Sequence, residues 1–370
     1  MRDIPDPIER LFADEFPDFH LETRSALNHG QSGMAQTKRV TLHEIAAQTG
    51  VSVTTISKVL NGAADVSSAT RELVEDHLRT SGYRRRRSAQ RREYIEVVLH
   101  ALGGDWALAV IEGVRESAAR VGMAVSLSVS GDRHSPGLEW LDAVIRRRPT
   151  GIILLFADVP AEGREALKAR GIPFVIIDPA GDPAPGIPAV GSANWSGGVA
   201  ATRHLLELGH RRIAAITGPE QLMCSLARLD GYRAAMMSAG AAVEPEWIRF
   251  GDFQRDGGER HAAALLRLAE PPTAIFAGND LQALGVLHAA AAAGVAVPRD
   301  LSVVGFDDLP IAELASPRLT TIRQPLREMA EQATRLVLES VESPQPTVTR
   351  VELATSLVVR NSTAAPAQSA

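Results

Sequence analysis

From residue 94 to residue 341 the chain alternates between short runs rich in β-branched residues and longer stretches with helical periodicity. Such alternation predicts parallel sheets flanked by helices, because parallel strands need long crossovers that helices supply. The stretch is too long for one sheet, so we expect an α/β body of two lobes. The predicted strands are Tyr94–Leu99, Val125–Val129, Gly151–Phe156, Phe174–Ile177, Arg212–Thr217, Ile248–Phe250, Thr273–Ala277 and Ser302–Phe306. The predicted helices are residues 106–121, 136–148, 161–170, 196–209, 225–240, 257–269, 280–294 and 325–341.

Polar side chains follow two of these predicted strands. Asn279 comes after Thr273–Ala277, and Asp307 comes after Ser302–Phe306. In open α/β sheets, ligands bind outside the carboxyl ends of the strands. We therefore expect Asn279 and Asp307 to hydrogen-bond a ligand, while Asp280 is expected to cap the helix that starts there.

Three short helices are predicted before the body, within residues 40–80. Gly50 is expected to end the first helix, Ser52 to cap the second, and Ser67 or Ser68 to cap the third. The apolar side chains expected to pack these helices together are Leu42, Ile45, Val51, Ile56, Val59, Leu73, Val74 and Leu78.

The tight turn at Gly50 gives the first two helices the form of a helix-turn-helix, although an ordinary three-helix bundle has a similar pattern. Small polar side chains on the outer face of the second helix can reach base edges in the major groove, and a lysine there can reach guanine or phosphate. The outer-face candidates are Val53, Thr54, Thr55, Ser57 and Lys58.

The net charge of −5 is distributed unevenly. Residues 37–92 carry eleven Lys and Arg against five acids, whereas residues 93–370 carry a net charge of −7. A small basic segment joined to a large acidic body indicates a polyanionic partner for the basic segment alone. A solvated charged surface is the alternative, and the helix-turn-helix pattern makes it less attractive.

Composition excludes several classes of protein. The single cysteine, Cys224, forms no intramolecular disulfide and is expected to be a small packed residue. No secretory signal or stretch long enough to span a membrane is evident, so a cytoplasmic location is expected. Phosphate-binding glycine loops, a nucleophile elbow and metal-ligand spacings are all missing from the sequence. We therefore predict no enzymatic activity, no cofactor and no metal.

The segment Leu42–Gly62, followed by Val66-Ser67, Thr70-Arg71 and Gly82-Tyr83, resembles the head domain of the lactose-repressor (LacI) family. The similarity continues through residues 92–362, and Phe276–Gly285 is similar to actinobacterial members. The resemblance implies an all-α helix-turn-helix head joined to a two-lobed α/β body that is periplasmic-binding-protein-like, with parallel sheets flanked by helices.

The resemblance also implies a homodimer that binds double-stranded DNA at a near-palindromic operator. Val53, Thr54 and Lys58 fall at the family's base-reading positions, while Thr55 and Ser57 are expected to support the helix or contact phosphate. The tail has no heptads, which favours dimers over tetramers.

The linker departs from the family. Family members commonly have Pro-Asn and a hinge helix after Gly-Tyr, with a leucine that enters the minor groove; here an arginine-rich run follows Gly82-Tyr83. This run is expected either to enter a narrow minor groove through its charge or to act as a tether that contacts phosphates. The linker candidates are Arg84, Arg85, Arg86, Arg87, Arg91 and Arg92.

For the body, the resemblance implies a small-molecule effector, a mono- or oligosaccharide, bound between the lobes. Arg228 stands where the family has a ligand-clamping arginine, with a salt bridge to Asp230 or Glu220 as the alternative. Phe253 stands where the family has a stacking aromatic, with core packing as the alternative. The further candidates are Asn194 as donor and acceptor, Gln324 as ligand contact or hinge, and Trp106 as an exposed stacking residue at the rim or a helix anchor.

These observations predict five segments. They are a poorly ordered leader at 1–36, with Met34 as a second candidate start; a head at 37–83; a linker at 84–92; a body at 93–362; and a tail at 363–370. We expect a first lobe of residues 93–208 and 324–352 and a second lobe of residues 209–322 and 353–362. A sugar-binding transport receptor and a sugar-acting enzyme are the rival interpretations.

Overall fold

A computed structural model of the chain describes residues 42–60, 66–80, 92–131, 137–155, 158–183, 185–342 and 350–367. The chain divides into two compact units, residues 1–88 and residues 89–370. The predictions for the leader and for Arg84, Arg85, Arg86, Arg87 and Arg91 lie outside the described residues.

The described part of the first unit consists of helices α1 (Leu42–Thr49), α2 (Val53–Leu60) and α3 (Ser68–Thr80). The predicted three-helix pattern is confirmed. A fully or nearly fully buried cluster of Ile45, Ile56, Val59 and Val74 holds the helices together. Leu73, which was expected to face inward, is 46% exposed, because the buried face of α3 runs through Val74 instead.

The turn between α1 and α2 forms as the sequence predicts. Gly50 takes a φ of +68°, a conformation that costs glycine little, and its backbone N–H donates to the Ala46 carbonyl at 3.0 Å. The Ser52 hydroxyl then accepts from the Thr55 N–H at 3.1 Å, which caps α2. Ser67, rather than Ser68, caps α3 in the same way through the Thr70 N–H at 3.3 Å.

The first lobe of the second unit is built on a six-stranded parallel sheet with the strand order β11-β5-β4-β3-β1-β2. Its helices cover both faces, and β3 is buried along its whole length. The strands are β1 (Arg92–Leu99), β2 (Ala124–Val129), β3 (Pro149–Leu155), β4 (Phe174–Ile177), β5 (Ala189–Ser192) and β11 (Arg350–Leu353). The helices are α4 (Asp105–Ala119), α5 (Leu138–Arg147), α6 (Ala161–Ala169) and α12 (Leu326–Glu342).

The second lobe has a six-stranded sheet in the order β12-β10-β9-β8-β6-β7, in which only β12 pairs antiparallel. The strands are β6 (Ile213–Thr217), β7 (Ile248–Phe250), β8 (Ala274–Ala277), β9 (Ser302–Asp307), β10 (Thr320–Arg323) and β12 (Ser356–Val358). The helices are α7 (Asn194–Glu207), α8 (Met223–Ser238), α9 (Arg255–Leu265), α10 (Asp280–Ala292) and α11 (Pro310–Leu314), with a 3-10 turn at Pro245–Trp247.

Three predicted boundaries differ from the structure. Helix α7 was assigned to the first lobe, but its buried residues Ala201 and Leu205 pack in the core of the second sheet. Arg92 was assigned to the linker, but it is the first residue of β1 and pairs with Pro149. The tail was expected to begin at residue 363, yet the Ala364 carbonyl lies 2.9 Å from His210 Nε2.

The chain crosses between the two lobes at three places: after β5, after β10 and after β11. The described residues contain no helix that is long and apolar enough to cross a membrane. Because the chain passes between the lobes three times, one hinge region connects the carboxyl ends of both sheets.

Candidate functional site

A cavity of about 370 Å³ lies between the lobes, at the carboxyl ends of the strands of both sheets. Its size is within the range of small-molecule sites, which is roughly 300–1,000 Å³. We call it the main cleft. The candidates Trp106, Arg228, Phe253, Asn279 and Asp307 all line it, whereas Asn194 and Gln324 do not.

The first lobe lines the main cleft mainly with apolar side chains, which we call the apolar wall, together with His100 and Asp105. Leu99 ends β1, Leu155 ends β3, and Trp106 lies in the first turn of α4. Trp106 is only 8% exposed and belongs to the core of the first lobe, so the expectation of an exposed rim residue is wrong. It packs against the core because its helix turns onto the sheet directly after the Gly103-Gly104 loop.

The second lobe contributes the polar wall, which is centred on Arg228 of α8. Arg228 is 4% exposed; its Nε donates to Asn194 Oδ1 at 2.8 Å and its Nη1 donates to the Gly278 carbonyl at 2.5 Å. The guanidinium carbon also lies 3.7 Å from the centre of the Phe306 ring, a cation–π contact. The alternative salt bridge is wrong for Asp230, which pairs with Arg233 instead.

Five buried residues form a closed ring of polar contacts at the hinge. Arg228 contacts Asn194 as described, and its Nη1 lies 3.7 Å from Asp307 Oδ1. Gln324 Nε2 donates to Asp307 Oδ1 at 2.6 Å, and Gln324 Oε1 accepts from the Ser192 hydroxyl at 2.8 Å. Asn194 Nδ2 donates to the Ser192 carbonyl at 3.1 Å, which closes the ring. We call these five residues the hinge ring.

The hinge ring joins both sheets, since Ser192 ends β5 of the first sheet and Asp307 ends β9 of the second. Every member is at most 8% exposed. Gln324 therefore holds the crossover, and Asn194 positions Arg228. Asn194 was predicted as an effector contact, and Gln324 as either an effector contact or a hinge residue; in this structure neither lines the main cleft.

The charge of Asp307 is set by its surroundings. Burial raises the pKa of Asp307 to about 7, against the opposing effect of the nearby Arg228 guanidinium. Cys224, which also lines the main cleft, has a pKa raised by burial to about 12, so its thiol is neutral. Cys224 is thus the packed residue that the sequence predicts.

Asn279, and not Asp280, caps the start of α10. Asn279 caps the helix, since its Oδ1 accepts from the Gln282 N–H at 2.9 Å, and its Nδ2 donates to the Phe253 carbonyl at 3.1 Å. Asp280 is 1% exposed and accepts from the Leu309 N–H and the Thr321 hydroxyl, so the expectation that it caps α10 is wrong. Asn279 still lines the main cleft.

Phe253 is held in a conformation that bulky residues seldom adopt. Its φ is +63°, and Asp307 has a φ of +114°. The Phe253 ring lies so close to Gly218 that a Cβ added there would come within 2.0 Å of it. Strained backbone of this kind concentrates at ligand sites, because other contacts must hold it in place.

Two residues near the main cleft were missed by sequence reasoning. Ser192 ends a four-residue strand that has no clear period, so no sequence signal marks it. Asp178 directly follows the predicted strand Phe174–Ile177 and is 4% exposed, so the same rule that selected Asn279 and Asp307 applied to it.

In the first unit, α2 presents the predicted DNA-binding residues. Thr54 and Lys58 are exposed, and Val53 and Thr55 are half-buried. The Thr55 hydroxyl lies 2.9 Å from the Ser52 hydroxyl at the cap, which is a helix-supporting contact. The Ser57 side chain and Arg92 side chain lie outside the described parts of the structure.

Comparison with known proteins follows this division of the chain. Residues 41–86 match the bacterial regulatory proteins of the lacI family, and residues 202–363 match the periplasmic binding protein-like domain. The chain is 31% identical to the transcriptional repressor CytR of Escherichia coli over 335 residues, which cover 89% of this chain and 98% of that one. It is 32% identical to the transcriptional regulator CelR of Thermobifida fusca over 342 residues, which cover 89% and 100% of the two chains.

The chain belongs to the lacI family of bacterial regulatory proteins. It is therefore a DNA-binding transcriptional regulator and not an enzyme, as the sequence predicts. The predicted fold, a helix-turn-helix head with a two-lobed periplasmic-binding-protein-like body, is confirmed.

Solved structures of lacI-family proteins have the same architecture. The CelR–cellobiose complex matches with a TM-score of 0.67 and 32% identity, covering 88% of this chain and 100% of that one. The lac repressor dimer bound to operator and an anti-inducer matches with a TM-score of 0.65 and 27% identity, covering 89% and 100%. A lacI-family regulator from Enterococcus faecium with bound ribose has a TM-score of 0.65 and 27% identity, covering 74% and 99%.

Proposed function

We propose that this lacI-family protein is a cytoplasmic homodimeric repressor whose affinity for a near-palindromic operator is controlled by an uncharged sugar in the main cleft. The hinge ring carries this proposal. It connects both sheets through buried polar contacts, and two of its members, Arg228 and Asp307, also face the main cleft. A ligand that contacts those two side chains acts on the residues that hold the lobes together.

The charges around the main cleft favour an uncharged ligand. Arg228 is the only lysine or arginine among the described residues that line it, and two of its nitrogens already donate to Asn194 and Gly278. Asp105, Asp252 and Asp307 line the cleft as well. A phosphorylated ligand would meet more negative than positive charge, whereas sugar hydroxyls can both donate to carboxylates and accept from the remaining guanidinium N–H groups.

An apolar wall opposite a polar wall also suits a sugar, because a pyranose ring has apolar C–H faces and a polar edge. We propose that Trp106 and Phe253 contact those faces while Arg228, Asn279 and Asp307 bind hydroxyls. Asn194 and Gln324 act on the ligand through Arg228 and Asp307. The ligands of the relatives, cellobiose in the CelR complex and ribose in the Enterococcus faecium structure, make both a disaccharide and a monosaccharide reasonable probes.

For the head, we propose that α2 lies in the major groove, with Val53, Thr54 and Lys58 reading bases and Thr55 and Ser57 supporting the helix or contacting phosphate. The basic linker Arg84–Arg87, Arg91 and Arg92 contacts the DNA backbone or minor groove. We also propose the corrected division of the body: residues 92–192 and 326–353 form the first lobe, and residues 194–323 and 356–364 form the second.

A thermal-shift screen of the full-length protein against cellobiose, glucose, ribose and xylose tests the ligand. A ligand present at 100 times its Kd adds about 2.7 kcal/mol of stability, which gives a measurable rise in Tm. We expect at least one of these sugars to stabilise the wild-type protein and to leave Phe253→Ala unshifted. If glucose 6-phosphate shifts the Tm more than every neutral sugar, the uncharged-ligand proposal is wrong.

The DNA part has its own test. Binding of the full-length protein to a duplex selected from a random pool should weaken with salt, and Lys58→Ala should either relax the preferred sequence at one position or reduce the salt slope by about one. Lys168→Ala, which removes a lysine from α6 of the first lobe, is the matched control and should change neither. Binding that does not depend on sequence or salt would contradict the regulator assignment.

A further inference from the structure

Three consecutive arginines, Arg146, Arg147 and Arg148, lie at the end of α5 and directly before β3. We call them the arginine corner. Arg146 and Arg147 occupy the last turn of the helix, where cations are common because they offset the partial negative charge of the last carbonyl groups. Helix stability alone therefore accounts for these two residues, but Arg148 lies beyond the helix.

The backbone of Arg148 is in the left-handed region, with a φ of +51°. A side chain with a Cβ disfavours this region, and glycine is the usual residue where a helix ends in this way. Five other helices of the body are each followed within three residues by a glycine with positive φ: Gly122, Gly171, Gly209, Gly240 and Gly294. At α5 the chain instead has an arginine where glycine would be more stable, which indicates that the charge of Arg148 has a role outside the helix.

Only the central arginine of the corner has a carboxylate partner. Arg147 pairs with Glu96, which is fully buried in β1, and this ion pair holds the end of α5 against the sheet. Arg146 and Arg148 are exposed and form no ion pair with any residue in the described ranges. Residues 93–370 carry a net charge of −7, so two unpaired cations this close in the sequence are unusual for the body. Their guanidinium groups present planar sets of N–H donors, which suit the oxygens of a phosphate.

The arginine corner lies beside the point where the linker enters the body. The linker is followed directly by Arg92, the first residue of β1, and Arg92 pairs with Pro149, the residue after Arg148. The Tyr94 hydroxyl also donates to the Arg147 carbonyl, at 3.4 Å. The linker is therefore attached to the body at the edge that carries the arginine corner.

This attachment brings a polyanion to the corner. Residues 81–91 join α3 of the head to β1 of the body, and Arg84–Arg87 and Arg91 are among them. A duplex bound by the head is tethered through this short segment to the body, so its phosphates have a high effective concentration at the point of attachment. The positive charge that continues from the linker to the corner attracts those phosphates further.

We propose that the arginine corner binds the phosphate backbone of the DNA that the head holds, with Arg146 and Arg148 each contacting one phosphate. This inference rests on DNA binding by the head and adds a contact surface on the first lobe of the body. Phosphate contacts carry no sequence information, so the corner contributes affinity and salt dependence, while the preferred sequence is set by α2.

Salt titration of DNA binding by the full-length protein tests the proposal. Arg148→Gly removes the charge and introduces the residue that the backbone favours, so this variant should be at least as stable to urea as wild type. It is measured alone and together with Arg146→Ala. The control is Arg203→Ala combined with Arg267→Ala, which removes two exposed arginines from the second lobe. Fluorescence anisotropy gives the Kd for a selected and a scrambled duplex from about 50 to 200 mM salt.

We expect the slope of log Kd against log salt concentration to fall by about one per subunit in Arg148→Gly and by about two in the double variant of the corner. The double variant should bind both duplexes about tenfold more weakly at the lowest salt concentration, with the preference for the selected duplex unchanged. The control should match wild type.

A salt slope in the double variant that equals the wild-type slope overturns the proposed contact. Equal losses in the double variant and the control do so as well, because net charge alone would then explain the result. If Lys58→Ala weakens binding and the double variant does not, the proposed function stands without this surface. Salt-independent binding by wild type would contradict both proposals.

Discussion

The first lobe lines the main cleft with Leu99, Trp106 and Leu155, whereas the second lobe lines it with Arg228, Asn279 and Asp307. Both sets stand at the carboxyl ends of parallel strands or on the helices that follow them, so topology alone does not explain the difference. The polar set is held by bonds within its own lobe and through the hinge ring. The apolar set is part of the core of the first lobe.

This contrast indicates that the two walls of the cleft have different roles: the polar wall selects the ligand, and the apolar wall favours closure of the lobes. The donors and acceptors of the polar wall are held in place by hydrogen bonds within the protein, so this wall can select a ligand by its hydroxyl pattern. The apolar wall is non-directional and gains free energy only when the lobes close and water is excluded. We propose that a ligand which contacts both walls binds best when the lobes close on it, which is the differential affinity that a conformational switch requires.

The largest effect is expected when the polar wall loses its cation. Arg228→Ala should abolish sugar binding and lower the free energy of unfolding by about 3–5 kcal/mol, because Asp307 and Asn194 stay buried without their partner. Urea denaturation and calorimetric titration measure the two effects. Arg233→Ala, on the same helix but 49% exposed, is the matched control and should change neither quantity appreciably.

The second effect concerns the acid on the polar wall. Burial raises the pKa of Asp307 to about 7 from its ordinary 3.8, so between these values the folded protein holds a proton that the unfolded chain releases. The contribution of Asp307 to the free energy of unfolding is therefore present at pH 4 and is lost as pH rises towards 7. The loss is about 1.4 kcal/mol for each pH unit over which only the folded protein holds the proton.

Asp307→Asn should remove this pH-dependent contribution, so the free energy of unfolding should fall less from pH 5 to pH 8 than it does in wild type. Burial also raises the pKa of Asp178 and Asp280, and their shares have the same sign, but they remain in both proteins. Denaturation curves at the two pH values decide the matter. A variant whose pH dependence equals that of wild type would show that Asp307 is ionised in the folded protein.

A third, smaller effect is expected on the apolar wall. Trp106→Leu keeps an apolar side chain in the first-lobe core but removes the aromatic face, so sugar affinity should fall about tenfold, equivalent to about 1.4 kcal/mol. Trp140→Leu is the control, since Trp140 is also 8% exposed but packs on the other face of the sheet, away from the cleft. Equal loss of affinity in both variants would mean that the effect is one of stability and not of contact.

The smallest effect should come from the hinge ring, which belongs to neither wall. Ser192→Ala removes the hydroxyl that donates to Gln324 and should lower the free energy of unfolding by about 0.5–1.5 kcal/mol and weaken sugar binding a few-fold. Ser340→Ala loses a hydroxyl bonded to a backbone carbonyl within α12 and serves as its control. An unchanged sugar affinity in Ser192→Ala would show that the hinge ring does not influence ligand binding at the polar wall.

The same contrast explains how far the sequence could predict the structure. Runs of apolar residues predicted the strands that precede Asn279 and Asp307, and topology places the polar residues after such strands at the cleft. Ala189–Ser192 and Thr320–Arg323 each contain a single aliphatic β-branched residue, so neither these strands nor the hinge ring was predicted. The hinge ring also includes a hydrogen bond between Ser192 and Gln324, which are 132 positions apart in the sequence. No local sequence pattern predicts a contact between residues so far apart.

Local patterns were also ambiguous where two neighbouring polar residues compete for one role. Asn279 and Asp280 can both cap a helix, and only the position of Leu309 and Thr321 beyond the next crossover decides that Asp280 turns inward. Because Trp106 begins a helix, the sequence left open whether it stacks at the rim or anchors the helix. Its burial in the first-lobe core is a packing result that helical periodicity alone does not contain.

Operator affinity measured with and without sugar tests whether the cleft controls DNA binding. Fluorescence anisotropy of a duplex selected by the full-length protein gives the Kd for wild type and Arg228→Ala over a titration with the sugar that stabilises wild type. We expect that sugar to change the wild-type Kd at least tenfold, while Arg228→Ala binds the duplex as tightly as unliganded wild type and does not respond. An equal response in both proteins, or no response in a wild-type protein that is saturated with sugar, would contradict control of the operator through Arg228.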